Sequence, residues 1–245
     1  MKLKNVKMGS VAKYRGILLD FYGTLARATH WFSLEQALAE HGYVIDPEIR
    51  DKWFNDGIDG DDHEAASQSR DHYVKWQLER TYSMLSESDV HPDEQATIAE
   101  KLRIGAATRV LEPYDEVPGV LAQLRADDLK LVVCSNWDWD LAEAIEESGL
   151  TDAVDLLVSS AWVGVRKPNP RIYSHTLAKA GLEPEDVLFV GDTWGADVEG
   201  PLEAGMTPMY LRREGHWPDD SCPHDEPRGR GVTVAPDLST ILSLI

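Results

Sequence analysis

Residues 16–25 read GILLDFYGTL, a short apolar run that ends on Asp20 and then turns through Gly23. Short, continuously apolar runs of this kind are typical of strands that are buried on both faces of a parallel sheet. In such sheets ligands bind just beyond the carboxyl ends of the strands. The stretch therefore predicts a central strand that presents Asp20 at the functional edge of the sheet.

The second half of the chain repeats this pattern as alternating strands and helices. Apolar runs predict further strands at residues 129–135, 155–158, 187–190 and 208–211. Helical patterns predict helices at residues 117–127, 139–148, 170–180 and 197–204, with Gly149, Gly181 and Gly205 following three of them as left-handed stops. The predicted fold class is α/β, with a Rossmann-like parallel sheet that carries helices on both faces.

Residues 26–112 interrupt this alternation, because their apolar residues recur at helical spacing with no convincing strand between them. Residues 26–112 therefore predict an all-helical domain that is inserted into the sheet domain. The sheet domain would comprise residues 1–25 and 113–245. A loop rich in glycine and aspartate is expected within the insertion at residues 57–62. Three tryptophans are predicted to belong to the core of the insertion rather than to a stacking surface: Trp31, Trp53 and Trp76.

Polar residues stand at the predicted strand ends. Asp20, Ser135 and Asp192 each follow an apolar run, and Lys167 directly precedes a helix. Carboxylates at one edge repel one another unless a cation lies among them, and Mg²⁺ is typically held by one or two carboxylates together with phosphate oxygens of the substrate. A lysine and a hydroxyl beside such a cation suit a phosphoryl group. A strand-end aspartate can also act as a nucleophile.

In their order and spacing these residues resemble the four motifs of the haloacid dehalogenase-like (HAD) hydrolase superfamily. Residues 20–25 look like its first motif, Ser135 its second, Lys167-Pro168 its third and residues 191–197 its fourth. The helical insertion between the first two motifs resembles the cap domain of subfamily I. The resemblance covers nearly the whole chain and implies an enzyme with a sheet domain and a helical cap.

The resemblance also implies a role for each matching residue. Asp20 would be the nucleophile, while Ser135 and Lys167 would bind the phosphate or carboxylate of the substrate. Further substrate-binding residues within the same motifs would be Gly23, Thr24 and Asn136.

Mg²⁺ is the cofactor that the resemblance implies. It would be held by Asp20, by Asp192 and by the backbone carbonyl of Tyr22. Asp197 would orient Lys167 or a metal-bound water.

Tyr22 departs from the pattern of most phosphatases in this superfamily, which carry a second aspartate at that position. The aspartate protonates the leaving oxygen and later activates water, whereas a phenol of pKa ~10 can donate a proton but is a poor base. Tyr22 is thus the candidate acid, and turnover of esters with poor leaving groups is expected to be slow. The 2-haloacid dehalogenases resemble the chain at Tyr22, but they need no metal and lack an aspartate at the position of Asp192.

Three functions follow from these observations. The favoured one is a Mg²⁺-dependent phosphatase that acts on a small phosphorylated metabolite through an aspartyl-phosphate. The alternatives are a metal-independent dehalogenase of 2-halo acids and a catalytically weak binding or regulatory protein, the latter motivated by the missing second aspartate. Trp137 and Trp139 lie close to Ser135 in the sequence, and either line a pocket for an apolar or aromatic substrate or pack against the insertion.

Charge and composition limit the partners. The 245 residues include 24 Lys and Arg against 43 Asp and Glu, which gives a net charge of −19. The electrostatic field of this negative charge repels nucleic acids and anionic membranes, and no apolar run is long enough to span a bilayer.

Two cysteines are too few for a disulfide framework, and Cys134 lies in an apolar run. We expect a cytoplasmic protein with a small-molecule substrate and an exposed loop at residues 212–231 that matches no structural zinc pattern.

Overall fold

The computed structural model describes residues 13–54, 59–214 and 231–245. The strands in these ranges are β1 (Gly16–Leu19), β2 (Ala26–His30), β3 (Val110–Pro113), β4 (Lys130–Ser135), β5 (Leu156–Ser159), β6 (Val187–Gly191), β7 (Thr207–Leu211) and β8 (Thr233–Ala235). The α-helices are α1 (Leu34–Ala39), α2 (Pro47–Phe54), α3 (Arg70–Glu87), α4 (Pro92–Ala107), α5 (Val117–Ala126), α6 (Leu141–Glu147), α7 (Ser160–Val163), α8 (Pro170–Ala180) and α9 (Gly200–Glu203).

The central sheet is parallel throughout and has the spatial order β5-β4-β1-β6-β7-β8. Successive residues of a strand point to opposite faces, so Ile17 joins one apolar core and Leu18 the other. Helices α5 and α6 cover the first core, and α8 covers the second. The predicted α/β fold with a Rossmann-like parallel sheet is confirmed.

The predicted strands and helices of the sheet domain are present with small shifts at their ends. The largest shift is near residue 197, where a π-helical turn, Trp194–Glu199, precedes α9. Gly149, Gly181 and Gly205 have φ of +67°, +68° and +84°, as expected of left-handed helix ends.

The order of the strands places the functional edge of the sheet. The chain runs outward from β1 to β4 and β5, and then returns to β6 on the other side of β1. Open α/β sheets bind ligands at the carboxyl ends of the strands where the connection reverses direction in this way. Asp20, Ser135 and Asp192 stand at or directly after the ends of β1, β4 and β6.

Strands β2 and β3 pair antiparallel at the two ends of the insertion, with Ala26 opposite Pro113. The expectation of an insertion without strands is therefore wrong at its ends. The two strands escape a pattern search because they are short and largely exposed: only Ala26 in β2 and Leu111 in β3 are fully buried. A strand with one buried residue has no alternation to detect.

Helices α1 to α4 share an apolar core of their own, which includes Leu38, Leu85 and Ile98. Trp53 packs against this core, as predicted. The prediction is wrong for the other two tryptophans. Trp31 lies just beyond β2 and is 41% exposed, and Trp76 stacks on the ring of His63 at 5.0 Å outside that core. Helical spacing reports the period of a pattern, but it does not say what the apolar face contacts.

A segment of the insertion, residues 59–64, pairs with the chain just before Lys167. The backbone N–H of Arg166 donates to the carbonyl of Asp61 at 3.0 Å, and that of His63 donates to the carbonyl of Gly164 at 2.7 Å. The predicted loop at residues 57–62 thus connects the insertion directly to the functional edge. Two ion pairs join the segment to Arg171 on α8, one from Asp62 at 2.8 Å and one from Glu64 at 2.6 Å.

Some predictions lie outside the described residues, namely residues 57–58 of that loop and most of the loop at residues 212–231. Cys134 is buried in the second core, as predicted. Of the helices in the described ranges, none combines the length and apolarity that crossing a bilayer requires.

Candidate active site

A buried lysine lies between two carboxylates at the carboxyl edge of the sheet. The side chain of Lys167 is 1% exposed, and its Nζ donates to Oδ1 of Asp20 at 2.8 Å and to Oδ1 of Asp197 at 2.6 Å. The hydroxyl of Ser135 lies beside the Asp20 carboxylate and lowers its pKa. A buried ammonium is tolerated only with such partners. The structure thus brings together residues from all four predicted motifs.

The sheet itself places the carboxylates. The backbone N–H of Asp20 donates to the carbonyl of Val190 at 2.9 Å, which extends the pairing of β1 and β6 one residue beyond β1. Asp192 comes directly after β6. Asp20, Asp192 and Asp197 each offer an oxygen, and the three oxygens lie within 4.8 Å of one another.

The backbone of Lys167 is held from two sides. The carboxamide of Asn136 accepts from the backbone N–H of Lys167 at 2.7 Å and donates to its carbonyl at 2.9 Å. The same carbonyl accepts from the backbone N–H of Gly60 in the insertion at 3.2 Å. Asn136 therefore anchors the lysine in this structure, and its predicted contact with substrate stays a prediction.

Asp197 is held by groups around its own turn. Its Oδ2 accepts from the backbone N–H of Thr193 at 3.0 Å. Tyr173 is fully buried, and its hydroxyl donates to the carbonyl of Ala196 at 2.5 Å, which clamps the π-helical turn. At Gly191 a Cβ would lie 2.2 Å from Cγ of Asp197, so only glycine leaves room for this carboxylate.

Charge and burial shift the pKa values of the site. Burial alone would lower the pKa of Lys167, but the carboxylates of Asp197 and Asp20 outweigh it and raise that pKa. Burial raises the pKa of Asp197 to about 7, although Lys167 opposes this. Burial also raises the pKa of Asp20; Lys167 opposes the rise and the Asp192 carboxylate adds to it. The single positive charge of Lys167 therefore cannot neutralise the carboxylates of Asp20, Asp192 and Asp197.

This charge balance fits a divalent cation, and the donors are the carboxylate oxygens that Mg²⁺ prefers. Both oxygens of Asp197 already accept hydrogen bonds, from Lys167 and from Thr193. Asp20 and the half-buried Asp192 are therefore the carboxylates best suited to hold the ion.

Tyr22 lies over the edge of the site. Its ring contacts the rings of Trp31 at 5.5 Å and Trp137 at 6.2 Å, and the backbone of Ala28 lies beside its hydroxyl, where it lowers the pKa of the phenol. Burial raises the pKa of the phenol, so Tyr22 is protonated at neutral pH and cannot act there as a base.

Arg213 is a site residue that the sequence did not reveal. Its Nε donates to the carbonyl of Gly23 at 3.1 Å and its Nη2 to the carbonyl of Thr24 at 2.8 Å. The same Nη2 pairs with Glu116 at 2.7 Å, and the guanidinium lies 3.7 Å from the centre of the Tyr114 ring. Arg213 thus fixes the turn after Asp20. No motif marks it, since an arginine after a strand is normally a surface residue.

Gly23 and Thr24 are both buried, and Gly23 has φ of +83° in the turn. The Oγ1 of Thr24 has no hydrogen-bond partner among the described residues. The backbone of these residues shapes the turn, while their predicted contact with substrate stays a prediction.

Comparison with known proteins agrees with this geometry. The haloacid dehalogenase-like hydrolase family matches residues 14–205, more than half of the chain, and the chain belongs to that family. The protein is accordingly a hydrolase.

A curated relative is the glyceraldehyde 3-phosphate phosphatase of Methanopyrus kandleri, which is 35% identical over 104 residues. This alignment spans 42% of the chain and 45% of the relative, less than half of its length.

Solved structures share the fold over almost their full length. A predicted phosphoglycolate phosphatase from Haemophilus somnus superposes with a TM-score of 0.68 at 18% identity, covering 96% of this chain and 99% of the other. The L-2-haloacid dehalogenase of Xanthobacter autotrophicus superposes with a TM-score of 0.58 at 21% identity, covering 94% and 98%. At these identities the similarity shows the fold alone. The fold does not distinguish hydrolysis of a phosphate ester from dehalogenation.

Proposed function

We propose that this hydrolase is a Mg²⁺-dependent phosphatase that acts on a small phosphorylated metabolite, with Asp20 as the nucleophile. The observation that carries the proposal is Asp192, which places a second carboxylate oxygen within 4.8 Å of Asp20 at the end of β6. The relative from Methanopyrus kandleri, which is named a phosphatase, supports the same chemistry.

Asp20, Asp192 and the backbone carbonyl of Tyr22 would hold the ion. When bound, Mg²⁺ would neutralise the carboxylates and attract the anionic phosphoryl group to the site. The remaining chemistry falls to the residues of the chain.

The Asp20 carboxylate would attack phosphorus, and the ester oxygen would leave with the electron pair of the broken P–O bond. Lys167 already donates to this carboxylate and the Ser135 hydroxyl lies beside it, so both can hold the phosphoryl oxygens. Water would then attack phosphorus in the aspartyl-phosphate, which releases phosphate and restores Asp20. Because Tyr22 offers a weakly acidic phenol where most phosphatases of this family carry a carboxylic acid, esters whose leaving group needs little protonation are favoured.

Residues 26–112 would act as a cap over this site. Segment 59–64 supports this role, since Gly60 hydrogen-bonds to the carbonyl of Lys167. The side chain of Tyr73 on α3 donates to Asp138 at 2.9 Å, close to Ser135 in the sequence. A cap in these positions would exclude bulk water during phosphoryl transfer.

A dehalogenase is the second candidate, and Tyr22 is the observation that favours it. The carboxylate of a 2-halo acid would meet Asp192 as well as Asp20. Without a cation, two unit charges about 4 Å apart repel by ~1–4 kcal/mol at effective dielectric constants of ~80–20.

Metal removal separates these functions. We expect EDTA to abolish phosphate release from p-nitrophenyl phosphate and Mg²⁺ to restore it, with no chloride release from 2-chloropropionate.

An Asp192→Asn variant should need a higher Mg²⁺ concentration for phosphate release, whereas Asp152→Asn, at an exposed aspartate, should match the wild type. Phosphate release that persists in EDTA would contradict the proposal. Chloride release in EDTA would establish the dehalogenase, and inertness on a broad panel of phosphate esters would favour a binding protein.

A further inference from the structure

Three aromatic rings meet beside the nucleophile. Tyr22 follows β1, Trp31 follows β2 and Trp137 follows β4. The ring centres of Trp31 lie 5.5 Å from Tyr22 and 6.1 Å from Trp137, and Tyr22 lies 6.2 Å from Trp137. All three distances fall in the range of direct aromatic contacts. We call these three side chains the aromatic wall.

The wall borders the reaction centre. Tyr22 is two residues from Asp20 and Trp137 is two residues from Ser135, so both arise from the strand ends that carry the site. The ring of Trp137 also contacts Phe21, the residue directly after Asp20, at 5.1 Å.

The inner part of the wall is fixed. Trp137 is 8% exposed, and its ring contacts Phe21 at 5.1 Å and the guanidinium of Arg109 at 5.1 Å. Its indole N–H donates to Asp140 at 3.1 Å. A ring held in this way is preorganised, so contact with a ligand costs little conformational entropy.

Trp31 is the most exposed ring of the wall. It is 41% exposed, and its contacts with Tyr22 and Trp137 are edge-on, with interplanar angles of 88° and 63°. A large indole that is partly exposed beside a catalytic edge gains free energy when a flat apolar group covers it.

We propose that the aromatic wall binds the leaving group of the substrate, and that the preferred substrates are phosphate monoesters of planar aromatic groups. This inference rests on the proposed phosphatase function. Two separate features support this substrate class. The aromatic wall offers area on which a flat ring can stack, and the site has a phenol at Tyr22 in place of a carboxylic acid that would protonate a poor leaving group. A phenol, with a pKa of ~10, departs as its anion more readily than an alkyl alcohol does.

The test compares phenyl phosphate with glycerol phosphate in wild type and in Trp31→Ala. The ratio of their kcat/KM values should fall roughly fivefold to tenfold in the variant, from the loss of one stacking contact. The intrinsic difference in reactivity between the two esters is the same in both proteins, so it cancels when the two kcat/KM ratios are compared. Inhibition by phenylphosphonate should weaken by a similar factor relative to methylphosphonate, and Trp31→Phe should restore most of both effects.

The matched control is Phe54→Ala, which removes a 50% exposed aromatic ring at the end of α2. This variant should leave unchanged both the ratio of the kcat/KM values for the two esters and the ratio of inhibition by the two phosphonates. A Trp31→Ala ratio within twofold of the wild type would overturn the inference while the phosphatase function stands, and would show that the wall only packs. A wild type that hydrolyses neither ester would overturn the inference, and inertness on the broad panel of phosphate esters as well would overturn the proposed function.

Discussion

An Asp20→Asn variant is expected to keep the fold and to hydrolyse phosphate esters at least about 10⁴-fold more slowly than the wild type, since removing a nucleophile can cost up to about 10⁶ in kcat. Asparagine has the shape of aspartate but cannot form the acyl-phosphate. Lys167 keeps its bond to Asp197 at 2.6 Å, so its charge remains paired. Initial rates on p-nitrophenyl phosphate at saturating Mg²⁺ measure the effect, and thermal unfolding checks the fold.

The control for this variant is again Asp152→Asn, which changes the same charge at an exposed position. It should retain full activity. If Asp20→Asn kept more than about a tenth of the wild-type rate, Asp20 could not be the nucleophile.

A Lys167→Met variant is expected to lose both activity and stability. It leaves the carboxylates of Asp20 and Asp197 buried without their cation, and removing one partner of a buried ion pair typically costs about 3–5 kcal/mol. Burial raises the pKa values of both carboxylates, so they become protonated as the pH falls and the penalty then shrinks. Urea unfolding should therefore show a larger free-energy difference from the wild type at about pH 8 than at about pH 5.

The matched control is Lys52→Met, which breaks the exposed ion pair with Glu87 at 2.8 Å. An exposed pair contributes about 1 kcal/mol or less, so this variant should stay close to the wild type at both pH values. Equal effects of the two substitutions would mean that Lys167 is not electrostatically linked to Asp20 and Asp197 in solution.

The sheet domain could be predicted from the sequence because its strands are buried on both faces. A strand such as β4, with five fully buried residues, leaves a continuous apolar run that needs no tertiary information to detect. The convergence of Asp20, Ser135 and Asp192 follows from the same pattern, since parallel strands end at one edge. Their chemical roles remain predictions.

The elements that were missed are short, exposed or defined by distant contacts. Strands β2, β3 and β8 each bury a single residue, which leaves no periodic signal. Arg213 acquires its place only when β7 brings it beside the turn at Gly23, far away in the sequence. Trp31 has apolar neighbours at helical spacing, yet it lies beyond a strand and contacts Tyr22.

The pairing of residues 59–64 with the chain before Lys167 is a further tertiary effect. It is made by backbone groups, which leave no pattern of side chains along either segment to detect. The sequence could therefore indicate a loop there, but not that the loop would reach the functional edge.

A single-turnover reaction in H₂¹⁸O tests the central claim most directly, because it follows the oxygen of the attacking water. With p-nitrophenyl phosphate and Mg²⁺, the account predicts that the label enters the released phosphate and that the peptide containing Asp20 keeps its mass. Water attacking the carboxyl carbon of an ester on Asp20, as in a dehalogenase, would place the label in that peptide. Labelled Asp20 would contradict the account.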